Sequence, residues 1–453
     1  MHTRPRLLLA LGVGTLYLSA CSGSTNQFTK AAPLDPNSIW QHAAAGGYVP
    51  SEAQAFIEFC VDLDSQDDRL AYPANPTFVA QIDSALWHVE FDSRQQVAQD
   101  YVDFTQHGSD VLAPWKKLYQ MIGKTAGKRG VAITDPTVVA KDPDLNGFGP
   151  WQTAWVLYSG AGPNTGKYAI AIRGTVFSSE PSALEDAIFQ PLGGKQFQSK
   201  FISFSREEDT SLHGGFAHAT FVLMLDQRYG VLQALKGHHV PDGAAIYIVG
   251  HSQGAAMATM AHAFLFNAMV VAEGGDSDPL ELKSANYKLK SYAFAQPKPG
   301  NYPFAAEFAS YTQGPDSAIV INNDIDPVPK VPLTLESAAD METDFHGKFL
   351  LARALRLIGS VGKAVRGSIS FVLDEITRKN EADYGAFYQA SAIAPTNKVK
   401  SKWSWDFVPD GRVLTVYGTA QVNQQSDIFY QHHATTYRDL IKQQLQVGGS
   451  PSR

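Results

Sequence analysis

Gly250-His251-Ser252-Gln253-Gly254 follows the apolar, β-branched run Ala244-Ala245-Ile246-Tyr247-Ile248-Val249 and precedes the small-residue run Ala255-Ala256-Met257-Ala258. Strand, G-x-S-x-G and helix in that order form a nucleophile elbow. The serine is forced onto a sharp turn. A glycine two residues to either side lets neighbouring backbone pass close by. The Ser252 hydroxyl then stands at the carboxyl edge of a sheet. The N–H of Gln253, at the helix start, points where an oxyanion would form. The bare pattern arises by chance in about one chain in five of this length. Its weight therefore depends on the flanking strand and helix, and on finding a base and an acid to serve the serine.

The amino terminus speaks to location. Met1-His2-Thr3-Arg4-Pro5-Arg6 is basic, and residues 7–18 are mostly apolar. A basic region followed by about a dozen apolar residues reads as a secretory signal, too short to span a bilayer. It ends Leu18-Ser19-Ala20-Cys21, which resembles the bacterial lipobox. That resemblance implies a mature chain starting at Cys21 with two or three acyl chains. At about 0.8 kcal/mol per buried methylene, these anchor stably where one chain would not. Ser22 follows, and not the aspartate of an inner-membrane retention signal, which implies the outer membrane of a bacterial envelope. The only other cysteine is Cys60, in the apolar stripe Ala55-Phe56-Ile57-Glu58-Phe59-Cys60-Val61. It reads as a buried structural thiol. No cysteine or histidine spacing suggests a metal site, and none is expected.

The 453 residues are 44% hydrophobic and 18% charged, an ordinary globular composition. A formal net charge of −7 argues against nucleic acid as a partner. After a signal at 1–20, residues 21–50 are polar and aperiodic and read as a tether. Residues 51–150 read as an amino-terminal helical region, with helical spacing in Phe78-Val79-Ala80-Gln81-Ile82-Asp83-Ser84-Ala85-Leu86. Strand patterns then begin. Ala154-Trp155-Val156-Leu157-Tyr158 and Lys167-Tyr168-Ala169-Ile170-Ala171-Ile172 form an expected hairpin across the turn-rich Gly160-Ala161-Gly162-Pro163-Asn164. Residues 215–235 read as a helix. Tyr287-Lys288-Leu289-Lys290 reads as a half-exposed strand start, leading into Tyr292-Ala293-Phe294-Ala295. Ala318-Ile319-Val320-Ile321-Asn322 reads as a short buried strand. Alternating strands and helices indicate an α/β fold with a mostly parallel central sheet flanked by helices.

An elbow serine needs an acid past a later strand and a histidine beyond that. Asn322-Asn323-Asp324-Ile325-Asp326-Pro327 offers Asp326, whose loop is stiffened by the following proline, and Asp324 as the alternative. His432 and His433, just before a final helix at Ala434-Thr435-Thr436-Tyr437, are the two candidate bases.

Four further segments carry a family resemblance. Ala171-Ile172-Arg173-Gly174-Thr175 resembles the F-R-G-T/S strand end of the class 3 (fungal triacylglycerol lipase-like) lipases. His213-Gly214-Gly215-Phe216 resembles their V-H-x-G-F. Ala293-Phe294-Ala295-Gln296-Pro297-Lys298-Pro299-Gly300-Asn301 resembles T-F-G-x-P-R-V-G-N. Asp326-Pro327-Val328-Pro329-Lys330-Val331-Pro332 resembles D-P-V-P-R-L-P. With the elbow these occur in the family's order, over about 151–333 and the tail after about 414. The resemblance implies the α/β-hydrolase fold for 151–453. It implies Asp326 as triad acid, and an oxyanion hole from the N–H groups of Thr175 and Gln253. It implies His432 over His433, because the family's histidine often stands five residues before a tyrosine. It also implies a structural His213 and a core-facing His251. No cofactor is expected. Ala255 departs from the family's usual second glycine, and the stretch from Asp326 to His432 is about twice that of a compact member. An insertion at about 335–410 is therefore expected.

Within it, 345–373 is apolar with Lys348, Arg353, Arg356, Lys363 and Arg366 spaced along it. It reads as a basic amphipathic segment suited to a membrane surface, or as a helix with a solvated basic face. Its Gly359, Gly362 and Gly367 favour two pieces or a flap. Residues 176–212 are a second candidate lid. The expected function is a membrane-anchored serine carboxylic-ester hydrolase acting on acyl-ester lipids through an acyl-enzyme on Ser252. The alternatives are a phospholipase A1, a short-chain esterase, or a catalytically silent lipase-fold lipoprotein that binds lipid or a protein partner.

Overall fold

The computed structural model describes residues 41–44, 46–64, 79–107, 135–143, 145–149, 151–176, 191–193, 204–207, 210–274, 278, 280–282, 284–331, 407–418 and 430–445. The lipobox and Cys21, the tether up to residue 40, segment 345–373, nearly all of 335–410 and most of 176–212 lie outside them.

The described residues begin with α1 (Pro50–Asp64), β1 (Trp87–Asp92), α2 (Ser93–His107) and α3 (Pro136–Ala140). The hairpin strands β2 (Trp155–Gly160) and β3 (Lys167–Ile172) follow, then β4 (Pro191–Gly193), β5 (Ser211–His213), α4 (Gly214–Leu225) and α5 (Val231–Gly237). Next come β6 (Ala245–His251), α6 (Gln253–Gly274), β7 (Lys288–Phe294), β8 (Gly300–Asn301), α7 (Tyr302–Thr312) and β9 (Ala318–Asn323). β10 (Phe407–Val408), β11 (Arg412–Val416) and α8 (Ala434–Gln444) are the last described elements.

Seven strands form the central sheet in the order β1-β2-β3-β6-β7-β9-β11, with β6 in the middle. β3, β6, β7, β9 and β11 run parallel, and β1 and β2 are antiparallel additions at one edge. A second sheet has four strands in the order β10-β8-β5-β4.

Both faces of the central sheet are covered, and the period-two alternation of β6 shows how. Ile246 and Ile248 point into one core with Phe221 of α4 and Met257 and Phe264 of α6. Tyr247 and Val249 point into the other, with Phe56 and Phe59 of α1 and Tyr437 and Ile441 of α8. A strand buried on both faces reads as a continuous apolar run, which is why 244–249 was so legible. α1 is anchored by aromatic contacts: Phe59 stacks on Tyr158 at 4.0 Å and Phe56 meets Tyr247 at 5.0 Å. Burying each phenylalanine is worth about 1.5–3 kcal/mol.

Three sequence expectations are corrected. The region 51–150 is not purely helical. Residues 79–86 form a loop, and β1 extends the central sheet. The apolar spacing there does not make a helix because Asp83 closes a turn, its side chain accepting from the Ala85 N–H at 2.9 Å and its carbonyl from Trp87 N–H at 3.0 Å. Gln81 N–H is also taken by the Glu58 carboxylate at 2.9 Å. Lys290 is not half-exposed. Its ammonium is fully buried, 2.7 Å from Glu52 of α1 and over the Tyr292 ring. The expected helix at 215–235 is two helices, separated where the Asp226 side chain caps the N–H groups of Arg228 and Tyr229.

Candidate active site

Parallel strands deliver their carboxyl ends to one edge of a sheet, and the site assembles there. Gly250 pairs with Ile172 of β3, and His251 with Phe294 of β7. Ser252 follows at φ +58°, a left-handed conformation that costs a non-glycine residue about 1–3 kcal/mol. The turn holds because backbone closes on it from every side. Ser252 N–H donates to Phe294 O at 2.9 Å, and Ala255 N–H to Ser252 O at 2.9 Å. A Cβ on Gly250 would lie 2.0 Å from the Gly254 carbonyl oxygen. One on Gly254 would lie 2.4 Å from that of Ile172. Both glycines are thus fixed by contact, as the elbow reading required.

Ser252 Oγ lies 2.8 Å from His432 Nε2, and His432 Nδ1 lies 2.8 Å from Asp326 Oδ2. Asp326 comes from the loop after β9 and is fully buried. Val328 N–H donates to its Oδ1 at 2.9 Å, and the Tyr437 hydroxyl donates to Oδ2 at 2.8 Å. The carboxylate only accepts, so the Nδ1 that faces it carries the proton. Nε2 is left to accept from the serine. Burial lowers the pKa of His432 from its ordinary value, and His251 and His433 add to that effect. Asp326 opposes it. Burial and the adjacent Asp326 push the Tyr437 hydroxyl well above its usual range, so it stays a donor.

His433 is buried as well, but it sits at the N-cap position of α8, and it is His432 whose ring meets Ser252. Asp324 lies elsewhere, its carboxylate accepting from Gly418 N–H at 2.8 Å. Thr175 follows Gly174, whose Cβ position is 3.3 Å from the Ser252 Cβ. Gln253 opens α6 directly after the serine. The oxyanion candidates therefore flank the nucleophile from β3 and α6. His213 caps α4, its Nδ1 accepting from Phe216 N–H. Among the described residues no group of three or more His, Cys, Asp or Glu could hold a metal ion.

Two features were missed by sequence reasoning. The tyrosine five residues after His432 served only to choose between histidines, yet its hydroxyl touches Asp326 directly. His251 is buried, but it is not an inert core residue. Its ring contacts Asp64 of α1 and the backbone of His432. No motif marks Asp64, which is simply the last residue of an apolar helix.

Residues 169–336 match the family described as Lipase (class 3). Among curated proteins no match is found. Solved structures of similar shape include M37 lipase, with 17% identity, 77% of this chain and 92% of that chain covered, and a TM-score of 0.39. A fungal lipase–inhibitor complex shows 19% identity over 53% and 72% of the two chains, with a TM-score of 0.29. The mono- and diacylglycerol lipase from Aspergillus oryzae shows 21% identity over 52% and 74%, with a TM-score of 0.27. The matched segment contains Thr175, the elbow and Asp326, and His432 lies beyond it. Residues 169–336 thus match the class 3 lipase family, and they build the mostly parallel, helix-flanked central sheet of an α/β-hydrolase fold.

Proposed function

We propose that this protein is a serine lipase of the bacterial envelope, anchored through acylated Cys21, that cleaves acyl esters of lipids by way of an acyl-enzyme on Ser252. The observation that carries the catalytic reading is the unbroken line Ser252 Oγ, His432 Nε2, His432 Nδ1, Asp326 Oδ2, with 2.8 Å at both hydrogen bonds. His432 Nε2 takes the Ser252 proton as Oγ attacks the ester carbonyl carbon. The carbonyl π pair moves onto oxygen, where the N–H groups of Gln253 and Thr175 stabilise it. Collapse of the tetrahedral species expels the alcohol, which takes the proton from His432. Water, deprotonated by the same nitrogen, then attacks the acyl-enzyme. The fatty acid leaves and the proton returns to Ser252. No step calls for a cofactor. Anchoring rests on the lipobox resemblance at Leu18-Ser19-Ala20-Cys21. No helix among the described residues is long and apolar enough to cross a membrane.

Purified protein truncated before residue 41 should hydrolyse p-nitrophenyl esters, and Ser252→Ala should abolish it. Retained turnover in that variant refutes the nucleophile. His432→Ala and His433→Ala, side by side, decide the base: full activity in the first refutes His432. A fluorophosphonate probe that fails to label Ser252 in the wild type would instead indicate a silent lipid-binding scaffold. A panel of triacylglycerols, phospholipids and short esters, with and without a lipid interface, separates lipase from phospholipase A1 and esterase. Radiolabelled palmitate incorporated into wild type and not into Cys21→Ala tests the anchor.

A further inference from the structure

Behind the proposed triad stands a second carboxylate–histidine pair. His251 Nε2 lies 2.7 Å from the backbone carbonyl oxygen of His432, and His251 Nδ1 lies 2.8 Å from Asp64 Oδ2. The other oxygen of Asp64 accepts from Gly174 N–H at 3.3 Å. Both side chains are nearly buried, at 4% and 12% exposure, so water does not substitute for these bonds. A carbonyl oxygen only accepts, so Nε2 carries a hydrogen. Nδ1 and Oδ2 are then two basic atoms facing each other, and the contact needs one further proton held between them. The pair is therefore neutral overall and rigid, with a fixed donor aimed at the His432 backbone.

We propose that Asp64 and His251 are positioning residues for the ester-hydrolysing centre, and that α1 is consequently a working part of the site. The geometry states how. From one carboxylate, a bond runs to Gly174, the residue before the oxyanion candidate Thr175. A second runs through His251 to the peptide carbonyl of the base. His251 itself is the residue before Ser252. Nucleophile, base and oxyanion strand are thus cross-tied through a single side chain of a helix that lies outside the matched lipase segment. Ring contacts reinforce the tie: the His251 ring is 4.8 Å from His432 and 5.7 Å from Tyr437. Errors of an ångström in such an assembly cost about a hundredfold in rate, so a tie of this kind acts on the chemical step.

This inference rests on the triad reading, and the test separates the two. Wild type, Ser252→Ala, Asp64→Ala and Asp64→Asn are compared by kcat and KM on p-nitrophenyl butyrate, with a thermal melt for each. Asparagine keeps the shape: its N–H donates to His251 Nδ1 and its carbonyl accepts from Gly174. Asp64→Ala should lose about tenfold or more in kcat with KM within about twofold, and Asp64→Asn should recover kcat to within about threefold of wild type. A wild-type kcat in a folded Asp64→Ala overturns the proposal. So does an Asp64→Asn as slow as the alanine variant, which would make charge and not position the requirement. Where Asp64→Ala does not fold, Asp64→Ser, too short to span both partners, takes its place under the same criteria. Turnover by Ser252→Ala would sink the nucleophile reading and this inference with it. A wild-type Asp64→Ala beside a dead Ser252→Ala sinks this inference alone.

Discussion

Tyr437→Phe removes one oxygen from the centre of the site and leaves the ring in place. That hydroxyl donates to Asp326 Oδ2 at 2.8 Å and accepts from the backbone N–H of Asn323 at 2.9 Å. Tyr437 is fully buried, so water cannot replace either bond. The Asn323 N–H, left without a partner, costs about 1–3 kcal/mol. The carboxylate loses one charged hydrogen bond, worth about 1.5–3 kcal/mol, and is partly compensated by the remaining donors Val328 N–H and His432 Nδ1–H. A net loss of about 2–4 kcal/mol in stability follows, with packing unchanged. Because Asp326 orients His432, a looser carboxylate should also lower kcat by about tenfold, equivalent to about 1.4 kcal/mol of barrier. Urea unfolding monitored by tryptophan fluorescence measures the first quantity, and initial rates on p-nitrophenyl butyrate the second. A change under about 0.5 kcal/mol together with an unaltered kcat would refute the view that this phenol fixes the acid.

Other outcomes follow from the same geometry. As the proposed base His432 must be unprotonated, and burial lowers its pKa from the ordinary value of about 6.5. Its activity should therefore persist below that pH and fall only through the lowered value; an acid limb of kcat/KM centred at or above about 6.5 contradicts this. The same shift means the unfolded chain takes the proton first as pH drops below about 6.5, so His432 costs stability on the acid side and none above it. Gly250→Ala would press a methyl against the Gly254 carbonyl and should abolish turnover; a folded, active variant would show that the elbow can open. Among the described residues neither carboxyl oxygen of Asp410 has a hydrogen-bond partner, and burial raises its pKa well above the usual carboxylate range. Its folded form keeps a proton that the unfolded chain releases above about pH 3.9, so its stabilising effect is complete below that pH and falls as pH rises toward the folded pKa. Asp410→Asn should then gain about 1 kcal/mol or more at pH 7 and little at pH 4, and the reverse order in urea midpoints would count against it. Phe59→Ala, which unstacks Tyr158, should cost about 3–5 kcal/mol by the same unfolding assay.

What could be read in the sequence was what local chemistry enforces. The elbow was legible because its strand is apolar on both faces and its glycines are dictated by contacts within a few residues. The hairpin at β2 and β3 and the buried β9 were legible for the first of these reasons. Choosing His432 over His433 needed the family spacing, since adjacent residues share one sequence environment and differ only in direction. β1 was not legible. It is a short edge strand reading WHVEFD, with His88, Val89 and Glu90 exposed, so its face toward the core is carried by few residues. Lys290 was misread because its partner Glu52 lies far away in sequence, and a charge looks solvated until its counter-charge is in view. Asp64 was invisible for the same reason: its partners Gly174 and His251 are 110 and 187 residues away.

The spacing of acid and base carries a consequence for how such a chain can vary. Asp326 and His432 are 106 residues apart in sequence, yet their side chains are joined. The junction is riveted by Tyr437 to Asn323 and by Asn323 to Gln431, on backbone that flanks the long intervening stretch at both ends. Closing a loop costs only about 0.6 kcal/mol for each doubling of its length. Changing the length of the chain between Val331 and Phe407 therefore taxes the closed site very little, provided the rivets and the β9–β11 pairing stay. The arrangement works as a cassette holder: the proposed acid and base are fixed at its margins, and selection is free to rewrite the sequence that precedes β10.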